Sequence, residues 1–173
     1  MAERTGSETI LFLATHQESI GIENWELLSI GNLSSSVPEA GIFFYTHDMP
    51  LVLNSNIGVA IGLANGTFGK AKGFILDPTS SIYRIEDSNV LVVTKPPLCV
   101  FMEVGKANHE PFEGLEQSMV PIFPVSFRVD LQNVSGKKRS CKREQVSCSP
   151  AFAMTDYRVQ GQTYDNIIVD LVS

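Results

Sequence analysis

The pattern of apolar and polar positions predicts a chain built mainly from short β-strands. The runs from Thr9 to Ala14 and from Gly41 to Tyr45 are apolar or aromatic and have the length of a strand. Between Ser81 and Val146, further β-prone segments alternate with proline pairs, glycines and polar turns. Pro121 and Pro124 indicate an edge strand, because proline cannot donate to a central ladder. Strands this short and closely spaced predict a small β-barrel.

One helix is predicted directly after the first strand. Thr15 and Glu18 have the spacing of a capping box, in which two side chains satisfy free amide groups at a helix start. Ile20, Trp25 and Leu28 then fall on roughly one helical face. The first strand and this helix together form a possible βα unit.

The end of the chain predicts a strand, a polar helical turn and a second strand. The first strand is predicted from Ala151 to Thr155, and the apolar run from Asn166 to Leu171 is typical of a buried parallel strand. Asp156 to Gln162, between them, contains an aromatic ring, a guanidinium, carboxamides and a glycine. Such a loop suits the carboxyl edge of a parallel sheet, where α/β folds bind ligands.

A second polar turn is predicted within the segment from Asp48 to Pro78. Asn65-Gly66 is a dipeptide that tolerates positive φ in a tight turn, and Thr67 follows it before the next β-prone run. These letters alone favour a plain hairpin.

Composition places the 173-residue chain among globular proteins, with 43% hydrophobic and 18% charged residues. Its three cysteines have no paired spacing, so neither a disulfide framework nor a zinc site is indicated. The three histidines lie far apart in sequence and are expected to be surface or packing residues. No signal peptide and no membrane-spanning stretch is expected.

The basic residues are unevenly distributed. The net charge of −6 argues by itself against nucleic-acid binding. Five of the 13 basic residues nevertheless fall within seven positions without an acid: Lys137, Lys138, Arg139, Lys142 and Arg143. Clustered cations at a hairpin tip can bind phosphates by releasing counterions. The alternative is a solvated turn that only maintains solubility.

The stretch from Ala151 to Leu171 resembles the late motif of superfamily-one DNA helicases of the PIF-like, RecD-like group. Eight positions match that motif in order: Ala151, Ala153, Met154, Thr155, Gln160, Gly161, Gln162 and Thr163. Tyr157, Arg158 and Val159 replace its histidine, lysine and serine, and the Asp-Tyr variant is similar to Helitron-type transposon helicases. A second pattern of the family matches Met49-Pro50, Asn56 and the run from Gly62 to Thr67.

The resemblance implies an α/β fold with a high β content. It implies part of a second RecA-like, P-loop NTPase-type domain that carries an inserted small Src-homology-like β-barrel. Residues 8–47 are expected to open the RecA-like domain, 48–147 to form the β-rich segment with the barrel, and 148–173 to hold the late motif and a closing strand. Residues 143–146 also resemble the family and are expected to be structural. The basic residues 137–139 therefore remain as the candidates for phosphate contact.

The resemblance further implies roles for individual side chains. Thr155, Tyr157 and Arg158 are expected to contact single-stranded DNA, with Tyr157 stacking on a base and Arg158 binding a phosphate. The basic residues Lys137, Lys138 and Arg139 are further candidate contacts. Residues expected at the nucleotide cleft are Gln160, Gly161, Gln162 and Thr163, and those of a structural turn are Asn65, Gly66 and Thr67.

As a whole, the resemblance implies the C-terminal part of an ATP-dependent 5′–3′ DNA helicase of the nucleus. The expected partners are single-stranded DNA and a missing N-terminal motor domain, with no membrane. A phosphate loop, an Asp-Glu strand end for magnesium and a finger arginine are not found, so no catalytic residue is assigned and the isolated chain is expected not to hydrolyse ATP. Whether the chain counts as an enzyme is left open. ATP and magnesium are expected only in the full-length helicase.

Two alternatives to a helicase part stay open: a stand-alone nucleic-acid-binding or protein-interaction β module, and an inert transposon remnant. An incomplete parallel sheet is also expected to expose strand edges and an apolar face.

Overall fold

The computed structural model describes residues 8–17, 24–29, 39–105, 110–132 and 138–152. These residues form three β-sheets, one short α-helix and a 3-10 helix (Val59–Ile61). The elements are β1 (Thr9–Leu13), β2 (Thr15–Gln17), α1 (Asn24–Ser29), β3 (Ile42–Tyr45), β4 (Pro50–Leu53), β5 (Phe68–Ile75), β6 (Ile82–Arg84), β7 (Val90–Val93), β8 (Cys99–Val104), β9 (Met119–Ile122), β10 (Pro124–Gln132), β11 (Lys138–Val146) and β12 (Cys148–Pro150). The fold is mostly β-strand with few helices, which confirms the high β content.

A four-stranded sheet has the order β3-β1-β7-β6. Strand β1 is antiparallel to β3 and parallel to β7. The predicted strands at 9–14 and 41–45 are therefore confirmed, with ends one residue shorter.

A five-stranded antiparallel sheet has the order β12-β4-β5-β8-β9. Pro121 lies in its outer strand β9, and Pro124 opens β10, an outer strand of the third sheet. The prediction of edge strands from these two prolines is confirmed for the described strands.

The main hydrophobic core lies between these two sheets. Phe74 of β5 meets Phe12 and Tyr45 edge to face, with ring centroids 5.2 and 4.8 Å apart. Buried neighbours from both sheets complete the core, together with Val146 at the end of β11: Phe43, Leu51, Leu53, Val93, Val100, Met102, Val120 and Ile122. Because the packing joins β1 to β4, β8 and β11, early and late parts of the chain share one core.

The third sheet has the order β10-β11-β2, and it corrects the predicted helix start. Thr15 is not a helix cap: it lies in β2 opposite Glu144, and its hydroxyl donates to that carboxylate at 3.4 Å. Pairing with the nine-residue strand β11 outweighs the local capping signal, because a capping box is worth only about 1 kcal/mol. The helix begins later, at Asn24.

The outer face of the four-stranded sheet is also apolar. One row across the four strands consists of residues that pair from each strand to the next: Phe44, Leu11, Val92 and Tyr83. Phe44 is 50% exposed and Tyr83 61% exposed. The expected exposed apolar face is therefore present.

The strand predicted from Ala151 to Thr155 is wrong in its described part. Strand β12 ends at Pro150, and Phe152 is an exposed bend residue. The amide of Ala151 still donates to the carbonyl of Pro50 at 2.9 Å. Pro50 has no N–H to continue the ladder, so pairing stops there. Residues 153–155 lie outside the described residues.

No helix within the described residues is long and apolar enough to cross a membrane.

Candidate nucleic-acid interface

The described residues include only the first two positions of the late motif, Ala151 and Phe152. The residues expected to contact DNA or nucleotide there lie outside them: Thr155, Tyr157, Arg158, Gln160, Gly161, Gln162 and Thr163. The same is true of Lys137 in the connection between β10 and β11. Lys138 and Arg139 are placed at the start of β11. The described residues that come directly before the late motif in the chain belong to β11 and β12.

Buried polar side chains form a row at every second position from β11 to β12. Arg143, Gln145, Ser147 and Ser149 are each at most 4% exposed. In a strand, alternate residues point to opposite sides, and here both sides are buried from residue 145 to 149, with Val146 and Cys148 in the hydrophobic core. The polar side chains on the other side are costly unless each group is bonded. We call these four residues the polar ladder.

Arg143 is fully buried and donates three hydrogen bonds to three different segments. Its Nε donates to His16 Nε2 at 2.9 Å, its Nη1 to the carbonyl of Glu39 at 3.1 Å, and its Nη2 to the carbonyl of Leu27 in α1. Burial and then the Arg143 charge lower the pKa of His16 to about 4, so the imidazole is neutral near pH 7 and can accept. Arg143 thereby joins β11 to β2 and α1.

The other ladder residues bind further segments. Gln145 Nε2 donates to the carbonyl of Phe12 in β1 at 3.1 Å. The Ser147 hydroxyl donates to Glu39 Oε1 at 2.8 Å. The Asn54 amide, directly after β4, donates to the Ser149 hydroxyl at 2.8 Å. Four successive inward positions therefore fix the strand that leads into the late motif.

Glu39 carries an unsatisfied carboxylate oxygen in this network. It is 3% exposed, and its Oε2 has no hydrogen-bond partner among the described residues. Burial raises the pKa of this carboxyl, although Ser147 and Arg143 oppose the shift. Burial likewise raises the pKa of the neighbouring Cys148 thiol to about 12, with the Glu39 charge adding to the effect.

The basic cluster is divided between two faces of β11. Arg143 points inward, whereas Lys142 is exposed. The expectation that residues 143–146 are structural agrees with this burial. The sequence interpretation did not identify the ladder as a whole, although the period-two polar pattern from Arg143 to Ser149 was the available signal.

The turn at Asn65, Gly66 and Thr67 closes the connection between β4 and β5. Only Gly66 has positive φ (88°); Asn65 does not. The amide of Thr67 donates to the carbonyl of Ala64 at 3.0 Å, and the Thr67 hydroxyl donates to the carbonyl of Gly62 at 3.1 Å. These bonds hold a compact connection between two antiparallel strands of the five-stranded sheet.

No three His, Cys, Asp or Glu side chains among the described residues are grouped as a metal site would require. The cysteines Cys99, Cys141 and Cys148 are buried free thiols.

Comparison with known proteins finds similarity at the level of structure. No protein-family model matches the sequence, and no curated protein matches it. The crystal structure of Pif1 helicase from Candida albicans aligns with 92% of this chain at 16% identity and a TM-score of 0.51. A Pif1 helicase from a structure of DNA unwinding at forked double-stranded DNA by two coordinating Pif1 helicases aligns with 95% at 13% identity and a TM-score of 0.50.

These alignments cover 32% and 27% of the respective helicase chains, so this chain spans about a third of their length. At such low identity the likeness establishes the fold alone. The chain has the fold of a segment of a Pif1 helicase.

Proposed function

We propose that this chain is the C-terminal part of an ATP-dependent 5′–3′ DNA helicase, where it contacts single-stranded DNA and forms one side of the nucleotide cleft. The observation that carries the proposal is the fold match to Pif1 helicase structures, combined with the eight-position late motif in the same chain. One of those structures concerns unwinding of forked DNA. In this proposal the four-stranded sheet belongs to a RecA-like domain of the Helitron-type group, and the antiparallel strands belong to an inserted barrel.

The polar ladder gives the proposed motif a fixed base. A loop that binds a moving strand must be attached to rigid elements, because a site that is loose by 1 Å loses much of its binding and coupling. Arg143, Gln145 and Ser149 bond the preceding strand to α1, β1 and the end of β4. Movement of the late motif is thereby coupled to the sheet and not only to its own loop.

Within the motif, Tyr157 and Arg158 are the proposed contacts to DNA. An aromatic ring stacks on any base, which suits a motor that advances without regard to sequence, and such stacking is worth about 1–3 kcal/mol per base. A guanidinium binds a phosphate through two donors. Gln160 to Thr163 are proposed to face the nucleotide, where carboxamides and a glycine allow close approach without charge.

ATP and magnesium enter this proposal only through the rest of a full-length helicase. The sequence contains no phosphate loop and no Asp-Glu strand end, so the residues present do not fit the phosphates and their metal. No step of ATP hydrolysis is assigned to this chain.

Binding of a fluorescein-labelled oligothymidine, followed by anisotropy at several salt concentrations, tests the proposal. The double variant Tyr157→Ala/Arg158→Ala is expected to bind at least about tenfold more weakly, from the loss of one stacked base and one charged contact. The chain supplies a matched control, because Tyr83-Arg84 is the same dipeptide on the exposed strand β6.

Tyr83→Ala/Arg84→Ala removes the same groups and an exposed ion pair of Arg84 with Glu8 (2.6 Å). The affinity for oligothymidine should stay within about twofold of wild type, because β6 is not a proposed DNA contact and the lost exposed ion pair contributes little to stability. Equal losses in both double variants would refute the assignment. Absence of binding by the wild-type chain at low salt would favour an inert remnant.

A further inference from the structure

The outward face of the β10–β11 hairpin brings two cations directly opposite each other. Arg128 pairs with Lys142 in the antiparallel register. Their neighbours Val129, Cys141 and Arg143 are buried on the other face, so Arg128 and Lys142 project toward solvent, and both are exposed. Like charges directly opposite in a sheet repel each other. The two cations therefore repel each other, and an anion bound between them would offset that repulsion.

The surroundings of this pair fit an anion. An open depression of about 280 Å³ is lined by Ser126, Phe127, Arg128, Ser140, Cys141 and Lys142. Two hydroxyls thus flank two cations. In the described part of the chain, neither Arg128 nor Lys142 forms an ion pair.

Acidic neighbours limit the size of the site. Ser126 is opposite Glu144, and Ser140 is opposite Asp130, so one carboxylate lies beyond each side of the cation row. Glu144 already accepts a hydrogen bond from Thr15. Among the described side chains, a carboxylate on each side therefore limits the cation row to Arg128 and Lys142, and one row of this kind suits a single phosphate.

We propose that this depression binds one backbone phosphate of single-stranded DNA, separately from the late motif. The inference rests on the proposed function for its partner. Arg128 supplies two parallel donors and Lys142 a point charge, while Ser126 and Ser140 donate to the remaining oxygens. Lys142 lies on β11, which continues through the polar ladder. DNA bound at this depression is therefore bound to the same rigid part of the fold.

The test uses the full chain and the labelled oligothymidine. Arg128→Gln/Lys142→Gln is expected to bind roughly tenfold more weakly at low salt, as the loss of one charged contact predicts. The slope of log affinity against log salt concentration should become shallower by about 0.7, the value for one phosphate on a single strand. The thermal midpoint should not fall, because the change removes a repulsion.

Two controls identify the cause. Lys70→Gln removes an exposed lysine from β5 in a different sheet and should leave both affinity and slope unchanged. Arg128→Lys keeps the charge but loses the two-donor geometry, so it should retain the salt slope and lose part of the affinity.

The outcomes separate this inference from the proposed function. If the wild type binds, Tyr157→Ala/Arg158→Ala weakens binding, and Arg128→Gln/Lys142→Gln keeps the wild-type affinity and slope, then the inference is wrong and the proposed function stands. If the wild type does not bind oligothymidine at all, both are wrong. If inorganic phosphate at constant ionic strength competes as well as the oligonucleotide, the depression is a free-anion site and not a DNA contact.

Discussion

Replacement of Arg143 by methionine tests whether the polar ladder holds the late part of the chain. Methionine has a similar length but no donors, so the variant leaves three acceptors unbonded: His16 Nε2 and the carbonyls of Glu39 and Leu27. An unsatisfied buried acceptor costs about 1–3 kcal/mol. The variant no longer buries a guanidinium, and the desolvation free energy saved in this way offsets several kcal/mol of the cost of the three acceptors. The expected net loss is about 2–4 kcal/mol in the free energy of unfolding.

Such a loss is a large fraction of the stability of a domain, which is about 5–15 kcal/mol. Urea unfolding followed by circular dichroism gives the total change. Fluorescence of Trp25, the single tryptophan of the sequence, gives a second probe of unfolding. The fluorescence midpoint should fall together with the dichroism midpoint.

Lys142→Met is the matched control for this prediction. Lys142 is the preceding residue on the same strand, but it is exposed, and exposed substitutions of this kind change stability by no more than about 0.5 kcal/mol. A loss below about 1 kcal/mol for Arg143→Met, or equal losses for both variants, would refute the reasoning from buried acceptors.

Three further predictions concern titration, a backbone conformation and a buried thiol. Stability should rise between about pH 4 and 6.5, because the pKa of folded His16 is about 4 and the unfolded chain binds more protons in that window. Glu39 has the opposite effect, because its raised pKa makes stability fall as pH rises. The variant Glu39→Gln should therefore show a steeper rise and be more stable at pH 7. Gly66→Ala should cost about 1–2 kcal/mol because φ is 88° there, whereas Gly105→Ala, at an open position, should cost less than about 1 kcal/mol in thermal denaturation. Cys148 should react with a thiol reagent only after unfolding, because burial raises its pKa to about 12.

Each of these has a contradicting result. A stability profile that falls with pH in the Glu39→Gln variant would exclude the role of His16. Equal costs for the two glycine variants would exclude a conformational cause. Rapid labelling of Cys148 in the native protein would contradict its burial.

The strands of this fold could largely be predicted from the sequence. Short apolar runs such as β1 and β3 are buried on one face and have no competing helical periodicity. The prolines of β9 and β10 indicated sheet edges for a local chemical reason, the missing N–H. Sheet order could not be predicted in this way, because the parallel pair β1–β7 joins residues about eighty positions apart.

The predicted helix start at Thr15 failed because a tertiary contact outweighed a local signal. The residues of a capping box are present, but β2 can pair with β11 only after the chain has folded. The resemblance set residues 143–146 apart as structural, but the sequence alone does not show that Lys142 and Arg143 reach opposite faces of β11. Both residues are basic and adjacent in sequence. Because neighbours in a strand point to opposite faces, Lys142 reaches solvent and Arg143 bonds to three acceptors.

The most direct test of the helicase-segment account is hydrogen–deuterium exchange of the full chain with and without oligothymidine. Peptides that cover residues 153–163 should be protected by the oligonucleotide, together with weaker protection of β10 and β11. Peptides of β6, which carries the Tyr83-Arg84 dipeptide, should exchange at the same rate in both samples. Protection of β6 with none at residues 153–163 would contradict the account.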